Sequence, residues 1–97
     1  MTSQDELHDM VKSDPERAWP LALEFVRRHP ELAASQDLIE DFVYEHEVKF
    51  IDWIEAAALA DPVVREVVEH AHVGGFATAG SEEFGRLQAR LRAGEGT

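Results

Sequence analysis

The run Leu38-Ile39-Glu40-Asp41-Phe42-Val43-Tyr44-Glu45-His46-Glu47-Val48-Lys49-Phe50-Ile51-Asp52-Trp53-Ile54 holds two apolar stripes that do not share a phase. Leu38, Ile39, Phe42 and Val43 recur at three- and four-residue spacing, the mark of one buried helix face. The next set, Phe50, Ile51, Ile54, Ala57 and Ala58, has the same period but lies displaced around the helix. No Gly or Pro separates the two. The phase change predicts a turn at His46 and Glu47; one long bent helix from Ser35 to Ala60 is the alternative.

Outward from this run the chain continues in helical period. Asp61-Pro62 downstream and Asp14-Pro15 upstream both read as helix starts, with Asp as the cap and Pro where no backbone N–H is needed. Val63, Val64, Val67, Val68 and Ala71 follow the first; Ala18, Trp19, Ala22, Phe25 and Val26 follow the second. Pro20 deletes a backbone bond inside its helix, so a kink or irregular first turn is expected near Arg17 to Trp19. Pro30 after His29 ends that helix. Glu31 to Ser35 is a connector, and Ser35 or Gln36 opens the next helix. At the N-terminus, Ser3 to Lys12 reads as a weak helix with Leu7, Met10 and Val11 on one side and a capping box of Ser3 and Glu6. Val73-Gly74-Gly75 stops the Pro62 helix, and Phe76 to Gly80 is a loop. Ser81 caps the last helix, whose Glu82 and Glu83 precede Arg86, Arg90 and Arg92, the order favoured by the helix dipole. Its inward residues are Phe84, Leu87 and Leu91. Ala93 to Thr97 reads as a frayed tail.

The expected fold is therefore all-α: a single domain over residues 1–97, ordered from about 14 to 92, of five or six short antiparallel helices. A compact bundle and a HEAT-like array of helix pairs both fit. The two Asp-Pro starts lie 47 positions apart, near the ~40–47-residue period of HEAT-like pairs, but the stretches do not otherwise align. Trp19, Phe25, Leu38, Phe42, Ile51, Ile54, Val64, Val67 and Leu87 form the expected core.

Twenty acids against nine Lys and Arg give a net charge of −11 on 97 residues. Such a surface repels nucleic acid and anionic lipid and attracts basic partners. Without cysteine there is no disulfide framework, thiolate metal site or Cys nucleophile. Met1 to Asp9 is acidic and polar, unlike a signal peptide, and no apolar run approaches the ~20 residues of a membrane span. These features lead to the expectation of a cytoplasmic protein, and the excess of Arg over Lys suits a bacterial one of high genomic GC content.

Leu38-Ile39-Glu40-Asp41-Phe42-Val43, His46, Phe50-Ile51-Asp52-Trp53-Ile54-Glu55, Ala58, Asp61-Pro62 and Arg65 together resemble a family of small bacterial helical domains of unknown function. That family's pattern runs Leu-Glu-Asp-Leu-Leu, His-Gly, Phe-Ile-Asp, Glu, Ala, Asp-Pro and Arg. Asp14-Pro15 and Trp19 also fit, so the resemblance spans residues 14 to 75. It implies a helical fold and no particular reaction. Where the pattern has Gly after His, this chain has Glu47, which adopts a left-handed helix end only at some cost.

Seven acids, Asp37, Glu40, Asp41, Glu45, Glu47, Asp52 and Glu55, fall in a segment whose only base is Lys49. They read as a protein-binding face for a basic partner, or as a solvated face that keeps the protein soluble. Some of them also suit pairing within the molecule, for example with Arg65. Glu66, Glu69, His70 and His72 are the metal-ligand candidates. His70 and His72 point apart on a helix, and Glu69-x-x-His72 occurs once where helical di-metal sites need it twice with two further Glu. His46 reads as a turn residue bonded to a carbonyl or carboxylate. The serines sit at expected helix starts, where capping explains them, and Gly74-Gly75 is no phosphate loop. No catalytic residue and no cofactor is assigned. The leading expectation is a non-enzymatic acidic protein-binding domain, in its sharper form a small inhibitor or immunity-type protein occluding a basic surface. The alternatives are a structural subunit or homodimer, for which an exposed Trp53 would speak, and a metal-binding module.

Overall fold

Each apolar stripe of the sequence lies on a helix. In the computed structural model, which describes residues 4–73 and 79–94, α1 spans Gln4–Ser13, α2 Pro15–Arg28, α3 Ala33–His46, α4 Ile51–Ala60, α5 Pro62–His70 and α6 Ala79–Arg92. One 3-10 turn, Glu47–Phe50, joins α3 to α4, and no strand occurs among the described residues. The fold is all-α. Helix α3 touches α1, α2, α5 and α6, elements from both ends of the chain. A stack of pairs contacts only its sequence neighbours, so the arrangement is the bundle and not the HEAT-like array.

The core gathers around rings. Trp19 meets Phe42 edge-on at 5.0 Å between centroids, Phe42 lies 5.0 Å from Phe50, and Phe50 lies 4.7 Å from Trp53. Leu38, Ile51, Ile54, Val64, Val67 and Leu87 are buried as expected. Phe25 is the exception. It is half-buried, with its ring 5.0 Å from that of His29. Helix α1 adds Leu7 and Val11 to the buried set and packs against α2 and α3.

The phase change at His46 is a turn, as the two stripes require. Helix α3 ends at His46, and Glu47 takes φ 53° and ψ −123°, which frees α4 to present its own stripe. The imidazole of His46 donates to the carbonyl of Val11, tying this turn to the end of α1. Asp61 accepts from the Val63 amide at 2.9 Å and caps α5. Asp14 precedes α2 but makes no side-chain cap bond, and α2 continues through Pro20 to Arg28 as one helix.

Other boundaries differ from expectation for reasons of tertiary contact. Helix α3 starts at Ala33, before Ser35. Ser35 is buried in its first turn, where its hydroxyl donates to the His29 carbonyl at 2.6 Å. Ser13 ends a helix rather than starting one, donating back to the Asp9 carbonyl at 3.0 Å. Ser81 is the third residue of α6, which opens at Ala79. Helix α5 ends at His70, before the glycines. Gln88 of α6 donates to the carbonyls of Val68 at 2.9 Å and Ala71 at 2.7 Å, and Arg92 to that of Glu69 at 2.8 Å. Those side chains satisfy the end of α5 in place of a glycine cap. The expected Ser3 cap, the Gly74-Gly75 stop and most of the loop after it lie outside the described residues. Ala93 and Gly94 continue from α6 as a turn, and the rest of the expected tail is likewise outside them.

Candidate protein-binding surface

The seven central acids occupy two kinds of position. Four hold the fold together. Glu40 accepts the His72 amide at 2.9 Å, just beyond α5. Asp41 accepts from the His8 imidazole of α1. Glu47 accepts the Gly80 amide at 3.0 Å in the first turn of α6. Glu55 receives Arg90 of α6 at 2.9 Å. Each joins elements distant in sequence. Arg65 pairs instead with Glu69, four residues on, at 3.4 Å.

The other three, Asp37, Glu45 and Asp52, are exposed and make no hydrogen bond or ion pair with a described residue. Asp37, Asp41 and Tyr44 follow one another at four- and three-residue spacing, so they share the outer side of α3, and Glu45 flanks them. Tyr44 is 52% exposed, and Val48 beyond it is also exposed. The His8–Asp41 contact sets α1 beside this row, with Asp5 on the exposed side of α1 three residues from His8. The sequence reading placed the acids of α3 but not those of α1, because that contact spans 33 residues.

Burial and charge act on two of the carboxyls. The carboxyl of Glu40 lies above its ordinary range, first because burial penalises the anion, against which the His72 amide works. That of Asp61 lies below its ordinary range, first because Arg27 donates to it, at 2.7 Å, and then because it caps Val63.

The metal-ligand candidates are dispersed in their bonding. Glu69 pairs with Arg65, and His72 meets Glu40 through its backbone. His70 donates to the Glu66 carbonyl at 2.8 Å. Glu66 and His70 line an open cleft of about 370 Å³ with Pro30, Glu31, Gln36 and Val67. No three His, Cys, Asp or Glu side chains among the described residues are placed to hold a metal ion. No helix of the described residues is long and apolar enough to cross a membrane.

A second exposed surface escaped the sequence reading except for Trp53. Helix α4 carries charge only at Asp52 and Glu55 and is apolar on every other side. A helix apolar all round is normally buried all round. Here Ile51, Ile54, Ala57 and Ala58 are buried, while Trp53, Ala56, Leu59 and Ala60 face outward. Trp53 is 39% exposed and Leu59 50%. The signal that could have found this face was the run Ala56-Ala57-Ala58-Leu59-Ala60, which carries no polar residue to mark a solvent side.

Fold and surface together define an acidic all-α protein, with six α-helices among the described residues, an anionic row on α3 and an apolar face on α4. Compared with protein-family models, with curated proteins and with solved structures, the chain has no match.

Proposed function

We propose that the protein is a non-enzymatic protein-binding domain whose acidic row on α3 engages a basic partner surface. The observation that carries this reading is the outer side of α3, where Asp37 and Glu45, exposed and without an ion pair to any described residue, accompany the exposed Tyr44. Carboxylates around an exposed aromatic combine electrostatic steering with an anchor that gains from desolvation. In its sharper form the domain is a small inhibitor that fills a cationic cleft. Asp52 lies apart from this row, on α4.

The test uses Asp37→Lys with Glu45→Lys, since neither residue bonds to the rest of the described fold. Reversal at Glu40 or Asp41 would instead break the contacts to His72 and His8. The chain is used to capture its partner from cells that express it, at low and at high salt. A basic protein retained by the parent at low salt, and released by salt and by the double variant, is the expected result. Retention indifferent to both salt and charge reversal overturns the reading.

A further inference from the structure

The geometry points to a homodimer in which the outward face of α4 packs antiparallel against α4 of a second copy, a contact separate from the acidic row of α3. A step of about 100° per residue places Ala56 at the centre of that face. Trp53 and Ala60 lie along one edge, Asp52 and Leu59 along the other. A two-fold axis beside Ala56 brings Ala56 against Ala56 of the partner subunit, where two methyl groups let the helices approach closely. The same axis sets Trp53 over Ala60 of the partner subunit, large against small, along one edge, and Asp52 beside Leu59 of the partner subunit along the other, each twice. A surface that complements itself in this way is what a two-fold contact requires.

The ion pairs around this face leave little local anionic charge on it for a basic partner. The nearby charges close on each other within one molecule: Lys49 with Glu16 at 3.2 Å, Arg27 with Asp61 at 2.7 Å, and Arg90 with Glu55 at 2.9 Å. Only Asp52 is left on the face itself. In the antiparallel pair the two Asp52 residues stand eight helical positions apart along the axis, about 12 Å at 1.5 Å per residue. That exceeds the ~8 Å screening length at physiological ionic strength, so their mutual repulsion is weak. Ten residues of helix are about 15 Å long, which places the contact at the low end of interface sizes, below ~1,200 Å² in total. The dimer is therefore a weak one that dissociates on dilution.

Its salt response separates it from the acidic-row reading. Each copy carries −11, so general repulsion opposes pairing, and salt that screens it tightens the dimer. Binding of a basic partner weakens under the same change. Sedimentation equilibrium of the full chain, from roughly millimolar to roughly micromolar at low and high salt, reads this directly. The expected result is a monomer–dimer equilibrium that shifts toward dimer as salt rises. Ala56→Glu buries a charge at the centre of the contact and weakens association by roughly tenfold or more. Leu59→Lys is a second variant with the same expected effect. Both positions are exposed, so melting curves of the monomeric variants are expected to match the parent. A parent that stays monomeric at high salt and the highest concentration overturns the proposal, as does dimerisation of Ala56→Glu at parental strength. Asp37→Lys with Glu45→Lys leaves the dimer intact, and Ala56→Glu leaves basic-partner capture intact, so each reading fails by its own readout.

Discussion

Glu47 shows how one residue reconciles a local cost with a distant contact. It is the one non-glycine residue among those described with a positive φ, a conformation that costs ~1–3 kcal/mol. Its carboxylate accepts the Gly80 amide, and Gly80 lies so close that an added Cβ would sit 2.9 Å from the Glu47 Cα. Glu47→Ala keeps the strain and loses the acceptor, so it is expected to be about 1–2 kcal/mol less stable than the parent. Glu47→Gly loses the acceptor but relieves the strain and is expected within about 1 kcal/mol of the parent. Urea unfolding of the pair checks the order; an alanine variant as stable as the glycine variant contradicts it. Glu40 provides a pH test. Its folded carboxyl binds a proton more readily than the unfolded one, whose ordinary value is 4.5. Its contribution is therefore most favourable below pH 4.5 and declines as pH rises through the raised folded value. Glu40→Gln keeps an acceptor for the His72 amide without the buried charge. It is expected to equal or exceed the parent at pH 7, with any advantage shrinking on acidification below 4.5, measured by unfolding at both pH values. At this scale, the turn was legible from the phase change of the two apolar stripes. Its partner, 33 residues away, was not.

The elements follow their apolar periods closely, and the exceptions have identifiable causes. Helix α5 ends before its glycines because side chains of α6 take its last carbonyls. Helix α3 begins at Ala33, and the buried Ser35 in its first turn donates its hydroxyl to the His29 carbonyl instead of capping the helix. Pro20 shows what packing tolerates. It removes the amide that would bond the Glu16 carbonyl, yet α2 runs on, since Ala18, Trp19, Ala22 and Val26 are buried on its opposite side. Pro20 itself is exposed. Pro20→Ala restores the bond, while the chain entropy that Pro withholds from the unfolded state returns about 0.4–1 kcal/mol in the other direction. The expected net gain is roughly 1–2 kcal/mol, measured by chemical denaturation. An unchanged or lower stability would mean that the bundle is shaped around the proline. Helix α4 was legible as a helix but not as an open face, because one apolar pattern serves a buried core and an interface alike.

For the whole molecule, the two proposed contacts predict opposite responses to one charge: rising salt is expected to release a basic partner from α3 and to draw two copies together through α4. The apolar periods, the Asp-Pro starts and the phase shift at His46 were enough to determine an all-α fold with a turn between the third and fourth helices. They act locally, within a few residues, and local spacing is what a sequence states directly. Only the tertiary structure decided that the helices share one bundle and that Glu40, Asp41, Glu47 and Glu55 join elements across it. It also decided that Asp37, Glu45 and the outer face of α4 remain uncovered. Those outcomes depend on which helix lies against which, and a carboxylate on a helix reads the same whether it meets an amide more than thirty residues away or only water.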